Sequence, residues 1–384
     1  MKVAGLFAGI GGIELGLHAS GHESELLCEI MPAAKAVLRA KFPDVDLVED
    51  VRSLADLPAN VEVVCAGFPC QDLSQAGQTK GMAGTRSSLV DEVFRLVRKR
   101  RPRWLVLENV PFMLQLSGGN AMRWIIDSIE AIPGYRWAWR VVDSYSFGVP
   151  QRRHRVLLVA SRDGAPEDVL LADDVVFQRP ETAIGKYAHG FYWTEGRGGL
   201  GWAVDAVPTL KNGSTIGIPS PPAILRASGD IIKPHIRDAE RMQGFEADWT
   251  AAASEVGRAS MRWSLVGNAV TVPVAEWLGR RLTTPGIYDT ARDRGFPATG
   301  KLPLAARYDG VDRHAVAIGL DPVGVRPPHL EDFLEHDGEL LSYRAASGFL
   351  SRTRVAKLRF PPGFIKAVES HVARMAPSPA SAAA

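Results

Sequence analysis

The chain has 384 residues, of which 46% are hydrophobic and 23% charged, and a formal net charge of +2. This composition is typical of a soluble globular protein of about two domains. It excludes a strong overall positive field, so a nucleic-acid partner would have to be met by local basic clusters. The cysteines Cys28, Cys65 and Cys70 are no disulfide framework and indicate a reducing compartment. With no signal-peptide pattern and no long apolar run, we expect a cytoplasmic protein without a membrane span.

The N-terminal stretch has the order strand, glycine turn, helix. Residues 3–7 predict a strand, residues 8–12 are rich in glycine, and residues 13–19 have the apolar period of a helix. This is the context of a nucleotide-binding loop, although glycine turns also serve simple packing. The third glycine of the dinucleotide fingerprint is absent, which disfavours NAD and FAD and leaves a nucleoside without a pyrophosphate.

Two acidic residues follow the next strands. Glu29 ends a strand predicted over residues 25–28, about 20 residues after Gly9, where a carboxylate can accept both hydroxyls of a ribose. A helix over residues 32–41 then leads to Asp50. That carboxylate could contact an adenine amino group or simply cap a turn, and the sequence leaves both open.

A candidate nucleophile follows the β-branched strand predicted at residues 61–66. Residues 67–71 read Gly-Phe-Pro-Cys-Gln, and ligands of open α/β sheets bind beyond such strand ends. Pro69 fixes its own φ and biases Phe68 toward extended geometry, so Cys70 is held on a stiff loop. A thiol placed there can act as a nucleophile, whereas a free cysteine is more commonly a small buried hydrophobe. The local sequence does not decide between them.

The next segments bring a carboxylate to the same edge of the sheet. The polar loop at residues 72–88 is long for a structureless connection and predicts a functional lid. A helix predicted over residues 89–99 ends in a basic run, which we interpret as a solvated cap rather than a nucleic-acid patch. The strand at residues 104–107 then delivers Glu108. It could be a structural cap, but its meeting with Cys70 favours an acid/base role.

An arginine block precedes the strand predicted at residues 156–160. Residues 151–155 read Gln-Arg-Arg-His-Arg, an alternation that directs Arg153 and Arg155 to one face. Their planar forks suit phosphate or base binding, and the alternative is a charged edge that keeps the sheet soluble.

Beyond residue 163 the alternation of strand and helix fails until helices predicted at residues 236–244 and 273–282. An extension of mixed charge follows. Four of its basic residues, Arg352, Arg354, Lys357 and Arg359, could meet phosphates, but a solvated face is the preferred interpretation.

Six blocks together resemble the DNA (cytosine-5) methyltransferase family, most of all the bacterial enzymes of restriction-modification and related defence systems. The blocks occur in the family's order at residues 7–12, 67–71, 108–110, 151–155, 241–245 and 267–270. The resemblance implies a doubly wound, mostly parallel, Rossmann-like α/β sheet with a smaller irregular target-recognition domain. The implied divisions are a catalytic and cofactor-binding domain (1–162), a recognition domain (163–235), a return to the catalytic domain (236–282), an extension of unknown role (283–375) and a disordered tail (376–384).

The resemblance also implies a reaction. Cys70 would add to C6 of a cytosine flipped out of the duplex, and Glu108 would contact N3 and the exocyclic amine. Arg155 would hold the cytosine O2 and Arg153 a flanking phosphate. The implied catalytic residues are Cys70, Glu108, Arg153 and Arg155, and those near DNA are Gln71, Ser74, Arg153 and Arg155.

S-adenosylmethionine is the methyl donor that the resemblance implies. The matching positions are Phe7, Gly9, Gly11, Glu29, Ile30, Asp50, Leu89 and Asn268. Phe7 would pack on the adenine and Glu29 would take the ribose, while Ile30 stands where the family often carries an aromatic residue. The expected partners are double-stranded DNA and a cognate restriction or defence system, and we expect no metal, no membrane and a monomer.

Other functions compete with this one. An RNA cytosine-5 methyltransferase of the same fold would modify tRNA, a catalytically silent DNA-binding regulator would not need Cys70 and Glu108, and a nicotinamide-dependent oxidoreductase would be protected by NAD. Because the recognition segment is short and a long extension follows, target reading is hypothesised to involve residues beyond 283. Deleting residues 283–384 should then change DNA affinity or sequence choice.

Overall fold

A computed structural model describes residues 1–69, 89–195, 199–211 and 221–377. The predicted nucleophile Cys70, the DNA contacts Gln71 and Ser74, and the loop at residues 72–88 lie outside these ranges. The tail predicted from residue 376 lies outside them too, except for its first two residues.

Seventeen strands are present in the described ranges. In chain order they are β1 (Lys2–Leu6), β2 (Glu23–Cys28), β3 (Asp46–Val48), β4 (Val63–Ala66), β5 (Trp104–Asn109), β6 (Arg136–Asp143), β7 (Gln151–Arg152), β8 (His154–Ser161), β9 (His189–Phe191), β10 (Ala203–Val204), β11 (Val207–Pro208), β12 (Ala223–Leu225), β13 (Ile231–Lys233), β14 (Asp293–Gly295), β15 (Ala305–Tyr308), β16 (Arg313–Val316) and β17 (Glu339–Leu340).

Twelve α-helices accompany them in the same part of the chain. They are α1 (Gly12–Ala19), α2 (Pro32–Lys41), α3 (Leu89–Arg100), α4 (Asn120–Glu130), α5 (Pro166–Leu170), α6 (Ile236–Met242), α7 (Ala253–Val256), α8 (Met261–Asn268), α9 (Val272–Thr283), α10 (Leu330–Phe333), α11 (Tyr343–Arg354) and α12 (Phe364–Met375). None of these helices has the length and apolar character needed to cross a membrane.

Ten of the described strands form one large sheet in the order β14-β16-β15-β6-β8-β5-β4-β1-β2-β3. The five strands from β3 to β5 run parallel, and the strands beyond β5 pair antiparallel. The predicted Rossmann-like α/β fold is confirmed. Its topological switch point lies between β1 and β4, where ligands of open α/β sheets bind.

Strand alternation explains why helices cover both faces of this sheet. Leu105 and Leu107 of β5 pack in the core under α3 and α4, whereas Trp104 and Val106 pack in the core under α1 and α9. Successive side chains of a strand point to opposite faces, so a strand buried on both sides reads as a continuous apolar run. The apolar runs that predicted these strands are therefore the signature of a doubly covered sheet.

A second, five-stranded sheet has the order β10-β9-β12-β13-β17. Four of its strands lie in the segment predicted to be irregular, and the fifth pairs Leu340 with Ile232. Helices α11 and α12 cover this sheet and bury Phe349 and Phe364 against Phe191. The residues beyond α9 also add β14, β15 and β16 to the large sheet. The extension is thus built into both sheets, while the proposed domain divisions stay predictions.

Candidate active site

A cleft of about 600 Å³ opens at the carboxyl ends of β1, β2, β4 and β5. Most of the predicted site residues that the structure describes line it: Phe7, Gly9, Glu29, Ile30, Asp50, Leu89, Glu108, Arg155 and Asn268. Gly11 and Arg153 are not among the lining residues. The structure therefore brings most of the predicted cofactor-binding residues together with Glu108 and Arg155, two of the predicted catalytic residues, at one edge of the sheet.

The glycine turn after β1 leaves regular geometry at three positions. Phe7, Gly9 and Gly11 have φ values of 56°, 59° and 82°. A Cβ on Gly11 would lie 2.4 Å from the ring of Phe42, so this position excludes any side chain even though it does not face the cleft. Gly11 thus shapes the loop that presents Gly9.

The Glu29 carboxylate holds this turn against the end of β2. Its Oε2 accepts a hydrogen bond of 2.8 Å from the Gly9 N–H, and its Oε1 accepts one of 2.7 Å from the Met31 N–H. Burial raises the pKa of Glu29, and the two backbone donors offset part of that effect. A carboxylate fixed in this way presents its remaining lone pairs to the cleft.

The walls around Glu29 combine apolar and polar groups. Ile30 lines the cleft and leaves 61% of its surface exposed, and Phe7 lines it as well. Asp50 Oδ1 accepts a hydrogen bond of 2.9 Å from the Arg52 N–H, which is the capping role that the sequence left open. Asp50 also lines the cleft, so capping does not remove it from the site.

A buried ion pair lies on the other side of the cleft. Glu108 Oε1 lies 2.8 Å from Arg155 Nε, and the two side chains are only 9% and 11% exposed. Arg155 also donates a hydrogen bond of 2.8 Å to the His154 carbonyl. Burial lowers the pKa of Arg155, and the charge of Glu108 opposes this shift. The pair fixes one carboxylate and one guanidinium at the end of β5.

Asn109 joins this pair to the loop that precedes Cys70. Its Nδ2 donates a 3.0 Å hydrogen bond to the Phe68 carbonyl, and its Oδ1 accepts one of 2.9 Å from the Val110 N–H. Pairing of Ala66 with Leu107 makes β4 and β5 leave the sheet side by side. A Cβ on Gly67 would lie 3.4 Å from Glu108 Oε2. The residues just before Cys70 and the Glu108 carboxylate are therefore close neighbours.

Arg153 occupies a different environment from the one expected. Its side chain is fully buried and donates to the carbonyls of Leu210, Gly267 and Ala269 at 3.0, 3.1 and 2.6 Å. Burial lowers its pKa. The predicted phosphate contact is incompatible with this arrangement, because the guanidinium is fully enclosed and both of its terminal nitrogens are bound to carbonyls. Arg153 instead ties the arginine block to the segment that carries Asn268.

Sequence reasoning missed three buried polar residues around this block. Asp143 accepts hydrogen bonds from Arg152 Nε and the Arg153 N–H at 3.0 and 3.1 Å. Gln151 donates to Gln243 Oε1 at 3.0 Å, and Gln243 donates to the Val266 carbonyl at 2.8 Å. Gln151 and Gln243 lie inside the motif blocks at residues 151–155 and 241–245, so the sequence could have indicated their importance. Asp143, at the end of an apolar strand, had none.

Comparison with solved structures shows the fold. The fold is similar to that of the S. pombe Dnmt2 methyltransferase, with a TM-score of 0.54 and 17% identity over 74% of this chain and 98% of that one. It is also similar to the Entamoeba histolytica methyltransferase EhMeth, with a TM-score of 0.51 and 14% identity over 74% and 98% of the two chains. The chain has the fold of these methyltransferases.

Sequence comparison identifies the family. The sequence model of the C-5 cytosine-specific DNA methylases matches residues 1–193. The Type II methyltransferase M2.BsuMI of Bacillus subtilis (strain 168) is 44% identical over 96% of this chain and 97% of its own length. The Type II methyltransferase M.AquIA of Picosynechococcus sp. is 34% identical over 48% of this chain and 77% of its own. The chain belongs to the C-5 cytosine-specific DNA methylase family.

Proposed function

We propose that this protein is a DNA (cytosine-5-)-methyltransferase that methylates C5 of a flipped-out cytosine through a covalent bond between Cys70 and C6. One observation carries the proposal. The Glu108–Arg155 pair lies 2.8 Å apart at the end of β5, tied through Asn109 to the carbonyl of Phe68, two residues before Cys70. A carboxylate and a guanidinium at this edge of the sheet can hold a pyrimidine ring at its N3 and O2 edges.

The cofactor proposed is S-adenosylmethionine, and the residues present fit it. The opposite side of the cleft offers an apolar wall at Phe7 and Ile30 for an adenine and a fixed carboxylate at Glu29 for ribose hydroxyls. Asp50, Leu89 and Asn268 complete this side. When bound, the cofactor supplies an electrophilic methyl group on a sulfonium.

Cys70 is proposed to activate the target carbon. Cytosine C5 is a poor nucleophile, and addition of the Cys70 thiolate at C6 moves electron density onto C5. A free thiol has a pKa of about 8.5, so its proton must be removed, or its pKa lowered by positive groups such as Arg155. After C5 is methylated, loss of the C5 proton to a base breaks the C6–S bond and returns the thiolate.

Glu108 and Arg155 are proposed to hold the ring during this addition. As the thiolate attacks C6, the Glu108 carboxyl donates its proton to N3 and accepts a hydrogen bond from the exocyclic amine, which keeps negative charge off the ring, and Arg155 donates to O2. General acid catalysis of this kind contributes typically about 10²–10⁴-fold. Because the two side chains are mostly enclosed, their charges interact with a bound base more strongly than they would in water.

The substrate is proposed to be duplex DNA with the target nucleotide extruded. A C5 atom inside a base stack cannot be reached, and extrusion costs a few kcal/mol. Gln71 and Ser74 are proposed to contact the DNA beside the flipped base. The proposal that methylation protects host DNA in a restriction-modification or defence system is supported by the similarity to the Type II methyltransferase M2.BsuMI.

Trapping on a mechanism-based substrate tests the proposal. Fluorine at C5 cannot leave as a proton does, so a duplex with 5-fluorocytosine at the methylated site should form a stable covalent adduct in the presence of S-adenosylmethionine. The target sites come first from bisulfite sequencing of DNA from cells expressing the protein. The Cys70→Ala variant, carried through both experiments, should yield neither methylation nor adduct. Methylation without any adduct would overturn the covalent mechanism, and methylation of tRNA rather than DNA would overturn the substrate.

A further inference from the structure

The C-terminal helices concentrate positive charge. Residues 341–377 contain seven Lys or Arg and a single Glu, whereas the rest of the chain has 38 Lys or Arg and 42 Asp or Glu. A chain with little net charge thus carries one strongly basic segment beside an otherwise slightly acidic molecule. Such asymmetry is the usual footprint of a surface that meets a polyanion.

This basic segment is a packed part of the second sheet. Phe349 and Phe364 are fully buried on its face. The buried His371 accepts a 3.1 Å hydrogen bond from the Ile231 N–H and lies 2.8 Å from the Leu341 carbonyl. These buried contacts hold the charged surface in a fixed position relative to the sheet.

Contacts of Arg352 fix the end of α11 near the arginine block. Its guanidinium donates hydrogen bonds of 2.8 and 3.0 Å to the carbonyls of Trp193 and Glu195. The Glu195 carboxylate in turn forms an ion pair with Lys211. The basic end of α11 is therefore attached to residues next to Leu210.

Thr209 and Leu210, which precede Lys211 in the chain, contact the arginine block directly. Thr209 Oγ1 donates a 2.8 Å hydrogen bond to the Arg152 carbonyl, and the Leu210 carbonyl accepts one from Arg153. A continuous series of contacts thus runs from α11 to the block whose last member, Arg155, lines the cleft. These contacts place the basic segment beside the elements that form one wall of the cleft.

Some basic side chains of the segment are engaged and others are not. Arg354 pairs with Glu369 and Arg374 with Asp230. By contrast, Lys357 and Arg359 are exposed and form no ion pair with any residue that the structure describes. At about 3.6 Å per residue, Lys357 lies within roughly 18 Å of Arg352 along the chain.

We propose that α11, α12 and the turn between them bind the backbone of duplex DNA, with Lys357 and Arg359 contacting phosphates outside the target sequence. The inference rests on the proposed function and assigns a partner to a segment that follows the last family motif. Phosphate contacts position a protein on DNA without reading its sequence. The surface should therefore raise affinity for all duplexes while leaving the methylated sequence unchanged.

Salt-dependent binding tests this role. The variant Lys357→Gln/Arg359→Gln is compared with the full-length wild type on two labelled 30-base-pair duplexes, one with the methylated site and one of mixed sequence without it. The matched control, Arg98→Gln/Arg103→Gln, removes the same charge from exposed positions at the amino edge of the large sheet. Thermal unfolding checks that all three proteins are equally stable.

Each phosphate contact contributes about 0.9 to the slope of log K against log salt concentration, so loss of two should make the slope shallower by about 1.8. The affinity deficit then grows roughly 3.5-fold for each twofold reduction in salt, equally on both duplexes. The control should keep the wild-type slope, and bisulfite patterns should be identical for all three proteins.

Three results would overturn the inference: a wild-type slope in the Lys357/Arg359 variant, the same loss in the control, or stronger binding of a structured RNA hairpin than of duplex DNA by the wild type. Failure of the proposed function is distinguishable, because it would appear as absence of cytosine methylation by the wild type itself.

Discussion

The two sheets of this protein are built in opposite ways. The cleft of the large sheet collects many of its side chains from strand ends, as Glu29 follows β2 and Glu108 lies in β5, while Leu89 and Asn268 come from α3 and α8. The second sheet has strands of two or three residues, and its edge strand and covering helices come from beyond the last family motif. Many cleft residues are positioned by the strand next to them in the sequence. The surface proposed to meet DNA depends instead on pairing between distant segments.

The largest expected effect is on the rate of methyl transfer and comes from replacing Glu108 in the cleft. Glu108→Gln keeps the shape of the side chain but removes its charge and its pairing with Arg155. We expect the rate of methyl transfer to fall by about 10²–10⁴-fold while S-adenosylmethionine still binds. Single-turnover methylation and cofactor titration measure the two quantities separately.

The matched control for this change is Glu23→Gln, because Glu23 is 73% exposed at the start of β2, at the opposite edge of the sheet. It should leave the rate unchanged. Loss of cofactor binding together with the rate in Glu108→Gln would show that the two sides of the cleft are not independent.

The second sheet should be destabilised by a substitution in α12, the C-terminal helix that covers it. Phe364 is fully buried against Phe191, Phe349 and Trp202. Phe364→Ala should lower the free energy of unfolding by about 3–5 kcal/mol, because it leaves a cavity in a closed core. Urea denaturation measures this. The partly buried Phe360 offers a control, and Phe360→Ala should cost clearly less. Equal, small costs would mean that α12 is not part of this core.

The difference between the sheets also explains what sequence could predict. Strands such as β1, β4 and β5 are apolar runs that end in a motif, so their positions, the fold class and most of the cleft residues followed from short patterns. Asp50 remained ambiguous because capping and ligand binding require the same side chain, and the structure gives it the cap at the edge of the cleft.

Long-range pairing was beyond such patterns. Nothing in the sequence around Leu340 indicates that it pairs with Ile232. Similarly, strand alternation assigned Arg153 and Arg155 to one surface, but only tertiary structure shows three carbonyls converging on Arg153. Burial decides whether an arginine binds a ligand or backbone carbonyls. Because burial is a property of the whole fold, a short sequence pattern does not predict it.

Arg153 lies at the junction of the two regions, so its replacement tests how they are joined. Arg153→Lys keeps the charge but cannot span three carbonyls with one ammonium group. Leaving buried carbonyls unpaired should cost about 2–4 kcal/mol of stability and weaken the proposed binding of S-adenosylmethionine near Asn268. Chemical denaturation and cofactor titration check both effects.

The neighbouring Arg152 gives the control, because it is 38% exposed and its side chain contacts Asp143. Arg152→Lys should have a smaller effect on stability. If Arg153 instead bound a phosphate, its lysine variant would show full stability and an altered salt dependence of DNA binding.

A buried carboxyl group lies against β1 in the large sheet. Glu14, in the first turn of α1, is 1% exposed, and its Oε2 has no hydrogen-bond partner among the described residues. Gly5 leaves the space for it, since a Cβ there would collide with the carboxylate. Burial raises the pKa of Glu14 from 4.5 to about 7. The charged form of this carboxyl is therefore unfavourable in its place against Gly5.

The smallest expected effect is the pH dependence that Glu14 confers. Between pH 4.5 and about 7 the folded state retains a proton that the unfolded chain releases, so stability falls as pH rises through this window. Glu14→Gln removes the titration and should be more stable than wild type at pH 8 by on the order of 3 kcal/mol, with little difference at pH 4. Denaturation of both proteins across this range measures the difference, in which the raised pKa of Glu29, common to both, cancels. A constant difference at every pH would show that the pKa of Glu14 is the same in the folded and unfolded states, so that its burial carries no such cost.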